Sequence, residues 1–250
     1  MIRRIGLISV LASVAGLTLA PSMASASSTV GAADLSGTPI EQCGASAGQP
    51  CNFVPLNTPS GAVEPGSPIT GVVTSLRMRT TGGAATLMIR PVRLITGLTF
   101  LNVGPEVAFP VTADGTGAGH ITEATGLHLP ITAGDRLGLG YTNGSPGPQL
   151  GVITGSAACG YFQGAGADHP VGTEKAYTTN GSCSAELLLQ GTVEADADRD
   201  GFGDETQDQC PTNGTTQGPC PVTPVKKKCK KHKKHKSAAE IAKKCKKKHH

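Results

Sequence analysis

Apolar and polar residues alternate most cleanly between residues 72 and 79. Val72, Leu76 and Met78 share one parity and Arg77 and Arg79 the other, as a strand with one buried face requires. Further runs at Thr86–Ile95, Leu98–Val103, Leu127–Thr132, Arg136–Thr142, Leu150–Thr154 and Ala185–Val193 read as strands with less regular alternation. Asn143-Gly144 and Asn180-Gly181 supply residues that tolerate φ > 0, the chemistry of tight hairpins. Many short strands divided by turn signals predict an all-β fold, with a β-sandwich head over residues 35–194.

Composition narrows the picture. The 250 residues include 34 Gly and 18 Pro, the two poorest helix formers, which argues against a helix bundle. Outside the N-terminus no apolar run reaches the roughly 18 residues of a membrane-spanning helix. The stretch Leu129-Pro130-Ile131-Thr132-Ala133-Gly134-Asp135-Arg136-Leu137-Gly138-Leu139 is similar to the strand, Gly-Asp turn, strand element common in jelly-roll modules. The expected head is therefore a jelly-roll-like β-sandwich.

Residues 1–26 have the three parts of a secretory signal peptide. Arg3 and Arg4 form a positive start, Ile5–Ala20 an apolar stretch, and Ala24-Ser25-Ala26 a small-residue cleavage site. The chain is expected to be secreted or held at the cell surface. Residues 27–34 read as a flexible leader, 195–211 as a loop repeat, 212–224 as a linker and 225–250 as a disordered, Lys/His-rich tail.

The net charge of +4 conceals an asymmetry. Residues 222–250 hold 13 Lys against the single acid Glu240, giving +12, while residues 27–221 hold seven bases and 17 acids, giving −10. The tail lysines are Lys226, Lys227, Lys228, Lys230, Lys231, Lys233, Lys234, Lys236, Lys243, Lys244, Lys246, Lys247 and Lys248. No aromatic is interleaved with them, so nothing stacks on bases and sequence-specific nucleic acid is not an expected partner. For a secreted chain the expected partners of the tail are anionic cell-wall polymers, acidic glycans or membrane head groups.

Cysteines in a secreted chain read as disulfides. The eight fall into sequential pairs, Cys43/Cys51, Cys159/Cys183, Cys210/Cys220 and Cys229/Cys245, each within one segment. Spacing leaves other connectivities open. A zinc site of Cys229, His232, His235 and Cys245 is disfavoured by the surrounding lysines and by an oxidising compartment.

One segment carries chemistry. Asp196-Ala197-Asp198-Arg199-Asp200-Gly201-Phe202-Gly203-Asp204 places acids at positions 1, 3, 5 and 9 of a loop, with Gly at 6. Ca²⁺ takes six to eight hard oxygen ligands; alternate acids in a turning loop aim theirs inward, and the position-7 carbonyl of Phe202 adds another. With Cys210-Pro211 following, residues 196–211 resemble a thrombospondin type 3 repeat. The resemblance implies calcium ligands at Asp196, Asp198, Asp200, the Phe202 carbonyl and Asp204. Position 12, where the pattern has an acid, is Gln207, and Asp208 lies one place later. Either Asp208 fills the role through a one-residue bulge or the site is weak. In that family such repeats connect or stiffen modules of extracellular proteins, which here implies a calcium-stiffened joint between head and tail.

Other motifs carry less. Gly44-Ala45-Ser46-Ala47-Gly48 satisfies G-x-S-x-G without the strand and helix a nucleophile elbow needs. His120 and His128 have no nucleophile spaced with them. The chain thus reads as a secreted, non-enzymatic bacterial surface or matrix protein, calcium-binding and anchored through its tail. The alternatives are a carbohydrate-binding module, with Tyr161 and Phe162 as candidate stacking rings, and a secreted hydrolase, which needs converging titratable groups in a pocket.

Overall fold

The strongest alternation in the sequence becomes β4 (Gly71–Gly82), a twelve-residue strand at the centre of one sheet. The computed structural model describes residues 26–222 except 40, 43–45, 57–64, 143, 145–146, 154–158, 164–167 and 179–184. Most of the signal segment, the Lys tail, the Asn180-Gly181 turn and Cys43, Cys183, Cys229 and Cys245 lie outside the described residues, as do the side chains of Tyr161 and Phe162. Contacts divide the chain into residues 1–218, which hold all the described strands, and residues 219–250.

The fold is all-β, two antiparallel sheets of which one is curled. The first sheet contains β1 (Ser28–Gly31), β2 (Glu41–Gln42), β4, β8 (His120–Ile131), β10 (Pro148–Ile153), β13 (Ala185–Leu187) and β14 (Leu189–Glu194). The second contains β3 (Pro50–Pro55), β5 (Ala85–Thr96), β6 (Thr99–Asn102), β7 (Val107–Val111), β9 (Arg136–Thr142), β11 (Cys159–Gln163) and β12 (Glu174–Ala176). Val73, Leu76 and Met78 of β4, Leu129 of β8 and Val193 of β14 are buried in one cluster with Phe53, Leu87, Ile89, Phe109, Leu137 and Leu139 of the second sheet. Burying each such side chain contributes about 1.5–3 kcal/mol, and this shared core is what holds the sheets together.

The turn between β8 and β9 carries the chain from one sheet to the other. Asp135 closes it: its N–H donates to the Thr132 carbonyl over 2.9 Å, and its buried carboxylate receives Arg93 through two bonds of 2.7 and 2.9 Å. On the outer face of the second sheet, Val54, Val92, Phe100 and Tyr177 form a smaller cluster, with the rings of Phe100 and Tyr177 edge to face at 5.4 Å.

The strand expected around Val72 is present, but its inward face differs. Val73, not Val72, joins Leu76 and Met78 in the main core, because the register shifts between Val73 and Ser75. Thr74 is the extra residue against β14, where Val193 pairs Val73 and Thr192 pairs Ser75. Against β8 the partners step from Leu129 to Thr125, so Gly126, Leu127 and His128 stand opposite Thr74 alone. Such a bulge bends the strand and re-aims side chains. Gly126 lies at φ 68°, a backbone state glycine takes without steric cost.

Cysteine chemistry is partly visible. Cys210 and Cys220 form the expected disulfide. Cys51 and Cys159 are each disulfide-bonded, and their expected partners Cys43 and Cys183 lie outside the described residues. They do not bond each other: Gln163 pairs Cys51 and Pro55 pairs Cys159, four ladder places or about 13 Å apart.

Candidate metal centre

The acid-rich loop leaves β14 directly. Glu194, the last residue of that strand, is buried at 2% exposure and organises the turn that follows. Its carboxylate accepts the Thr74 hydroxyl (3.0 Å), the Thr206 hydroxyl (2.7 Å) and the N–H groups of Glu205 (3.0 Å) and Thr206 (2.8 Å). Burial pushes its carboxyl up, but the Thr206, Thr74 and Glu205 hydrogen bonds outweigh that and hold it below the ordinary range. Gly203 packs so close that a Cβ there would lie 2.5 Å from Glu194 Oε2 and 2.7 Å from Thr74 Cγ2.

The loop then turns tightly on its own carboxylates. Asp196 accepts the N–H groups of Asp200 (3.1 Å) and Gly201 (3.0 Å), and Asp200 accepts that of Phe202 (2.9 Å) and the Gln217 side-chain amide (2.9 Å). Both oxygens of Asp204 face the Ala197 N–H at 3.2 Å. Arg199 (φ 63°) and Gly201 (φ 90°) take left-handed conformations; Arg199 adopts a state that side-chain-bearing residues visit at a cost of about 1 kcal/mol or more.

This turn gathers Asp196, Asp198 and Asp200, with one carboxylate oxygen of each within 4.8 Å of the others. Asp204 and Asp208 are not in that tight group, although their charges reach it. Neither oxygen of Asp198 meets a donor in good hydrogen-bonding geometry, although the Asn213 N–H lies near enough to lower its carboxyl slightly, and Oδ2 of Asp208, a residue only 4% exposed, has no partner. Burial, then the charges of Asp200, Asp208 and Asp196, raise the Asp198 carboxyl above its usual range. Asp204 is raised by burial first, then by Asp196, Asp198 and Asp208, against the opposing Ala197 N–H. Buried carboxylate oxygens without donors are costly unless a cation completes them. The donor set is all oxygen, the chemistry of a hard divalent ion such as Ca²⁺.

The bulge of β8 grips the loop from outside. Nδ1–H of His128 donates to the Gly201 carbonyl over 3.2 Å, and its ring meets Phe202 edge to face at 4.5 Å. The Gln207 amide accepts the Gly203 N–H (3.0 Å) and donates to the Leu127 carbonyl (2.9 Å). Glu194, Thr74 and His128 were not readable as site residues from spacing, and Gln207, placed by spacing at position 12, was not readable as a tie to β8. The available hints were an acid ending an apolar run, and a glycine inside another, which often marks a bulge.

A second feature lies over the outer face of the second sheet. A cleft of about 540 Å³ is lined by Asn52, Met88, Arg90, Glu106, Asp168 and His169 among others. Arg90, 5% exposed, ion-pairs with Glu106 at 3.1 Å and donates to Asn52 Oδ1 (3.0 Å) and the His169 carbonyl (3.3 Å). The His169 ring is turned away: Nε2–H donates to the Thr173 carbonyl (3.0 Å), and Nδ1 accepts the Tyr177 hydroxyl (2.9 Å). No family model, curated protein or solved structure matches this chain.

Proposed function

We propose that this is a secreted, non-enzymatic surface or matrix protein. In this reading a jelly-roll-like sandwich head carries a calcium-holding loop of the thrombospondin type 3 kind, and the Lys-rich tail anchors it to polyanions. The observation that carries the calcium part is the set of buried carboxylate oxygens outside any hydrogen bond, both of Asp198 and Oδ2 of Asp208, beside Asp196 and Asp200. Asp196, Asp198, Asp200, the Phe202 carbonyl and Asp208 would hold the ion, with Asp204 near it. The bound charge offsets the repulsion of five acids and fixes the turn against β8. The Glu194 clamp and the His128 and Gln207 contacts then pass that rigidity into the head.

This reading gives the head no catalytic role, because Arg90 and His169 in its cleft are engaged in structural bonds, Arg90 with Glu106 and Asn52, and His169 with Tyr177 and Thr173. Carbohydrate is the second reading of the cleft, since the exposed Asp168 lines it together with the half-buried, apolar Met88. Calorimetric titration of the full chain with CaCl2 is the decisive test. Wild type should give a saturable heat and Asp200→Ala should lose most of it; no heat from wild type removes the calcium reading.

A further inference from the structure

We infer that the cation site of the acidic loop is closed by one oxygen, Oδ2 of Asp208. Gln207, where such loops carry an acid, is instead a positioning residue that ties the loop to strand β8. The inference rests on reading the loop as a cation site.

The two neighbours do opposite things. Asp208 is turned inward: Oδ1 accepts the Cys210 N–H over 2.7 Å, which fixes the carboxylate, and Oδ2 is left buried with no hydrogen-bond partner. Its own N–H donates to the Gly203 carbonyl over 3.0 Å, which holds residue 208 against the loop, next to but outside the tight group of Asp196, Asp198 and Asp200. Gln207 is turned outward, its amide spanning from the Gly203 N–H within the loop to the Leu127 carbonyl on β8. A carboxylate at 207 could still accept from Gly203. It has no hydrogen for the Leu127 carbonyl, and two oxygens would then face each other across the gap.

The next residue of the same bulge grips the loop a second time, through His128 to the Gly201 carbonyl and the Phe202 ring. The bulge therefore holds the loop at its sixth and twelfth positions at once. A cation that orders the loop must order residues 127 and 128 of β8, and loosening the bulge must weaken the cation. Putting an acid at position 12 is accordingly expected to impair binding, the reverse of what the repeat pattern alone suggests.

The test uses the full chain and Ca²⁺ itself, with affinity from calorimetry and amide hydrogen exchange read at residues 127–129. Wild type should bind, and calcium should slow exchange there. Asp208→Asn keeps an acceptor for Cys210 and should weaken binding about tenfold or more. Gln207→Glu and the near-isosteric Gln207→Met should both weaken it by a similar factor and lose the calcium-dependent protection of β8. Tighter binding by Gln207→Glu, or unchanged binding by Asp208→Asn, would overturn the assignment while leaving the loop a calcium site. Protection of β8 that survives in Gln207→Met would remove the tie. Absence of any calcium heat in wild type would instead sink the reading of the loop on which the inference rests.

Discussion

The hydroxyl of Thr74 donates to Oε1 of Glu194 over 3.0 Å, although 120 residues separate the two along the chain. Thr74 is the unpaired residue of a bulge and Glu194 the last residue of the strand beside it. The irregularity in β4 therefore places a hydroxyl where the buried carboxylate needs a donor. The same carboxylate takes three further bonds from residues 205 and 206, so one acid joins the head to the acidic loop.

Glu194→Ala should destabilise residues 1–218 by about 3 kcal/mol, because it strands two backbone N–H groups and the Thr74 hydroxyl in a buried setting. Gly203→Ala attacks the same clamp sterically and should cost about 1–3 kcal/mol. Urea unfolding in EDTA measures both free of calcium. A Glu194→Ala protein as stable as wild type would mean that the clamp is incidental.

Calcium should stabilise the protein by mass action, about 2.7 kcal/mol at a hundredfold excess over Kd. Asp198→Asn removes charge from a carboxylate that burial and three neighbouring acids disfavour. It should raise the melting temperature in EDTA and abolish the rise on adding calcium. Limited proteolysis near Gly201, compared with and without calcium, reads the same event locally. A melting temperature indifferent to calcium in wild type would count against the site.

Acid sensitivity should trace to His169. Burial first, and the charges of Arg90 and Lys175 next, hold its imidazole below the ordinary value of 6.5, against the Thr173 carbonyl contact that favours the proton. A depressed pKa means the unfolded chain binds the proton more readily, so this contribution is complete above about pH 6.5 and is lost as pH falls through the folded value. Thermal unfolding between pH 7.5 and 5 should show the loss, and His169→Gln should flatten that part of the profile. An unchanged slope in the variant would assign it elsewhere.

Removing residues 226–250 should abolish retention on anionic polymers without unfolding the head, since the removed segment holds almost no apolar surface. Retention of the intact chain should fall steeply with added salt and ignore polymer sequence. A truncated protein that stays attached, or attachment that survives molar salt, would place the adhesive surface in the head and favour its cleft.

Much of the sheet architecture was legible because burial imposes a period of two. The Arg136–Thr142 run is β9 as expected, and the Thr86–Ile95 run is β5 with one residue added at each end. The expected Ala185–Val193 strand is interrupted at Leu188 into β13 and β14, and the Leu127–Thr132 run is only the end of β8. The missing first half, from His120 to Gly126, does alternate between half-buried and exposed positions, but its half-buried residues are His120, Thr122 and Ala124, so no apolar alternation in the sequence marks it. β3 escaped for the opposite reason, being buried along nearly its whole length and bounded by prolines. The acid triad could be read from spacing because its residues lie within one turn. Its supports could not, because Thr74, Leu127 and His128 reach it only through a register shift that local sequence does not encode.

That shift has a consequence for how the molecule meets its own kind. Among the described strands β8 pairs with β4 alone, leaving twelve residues along a sheet margin. A flat margin of that length is a template onto which another chain can add. Here the three residues at 126–128 break it into two short pieces, the half-exposed Glu123 charges one of them, and Pro130 removes an N–H from the other. The kink that grips the acidic loop is thus expected to keep neighbouring copies from stacking edge to edge into fibrous aggregates.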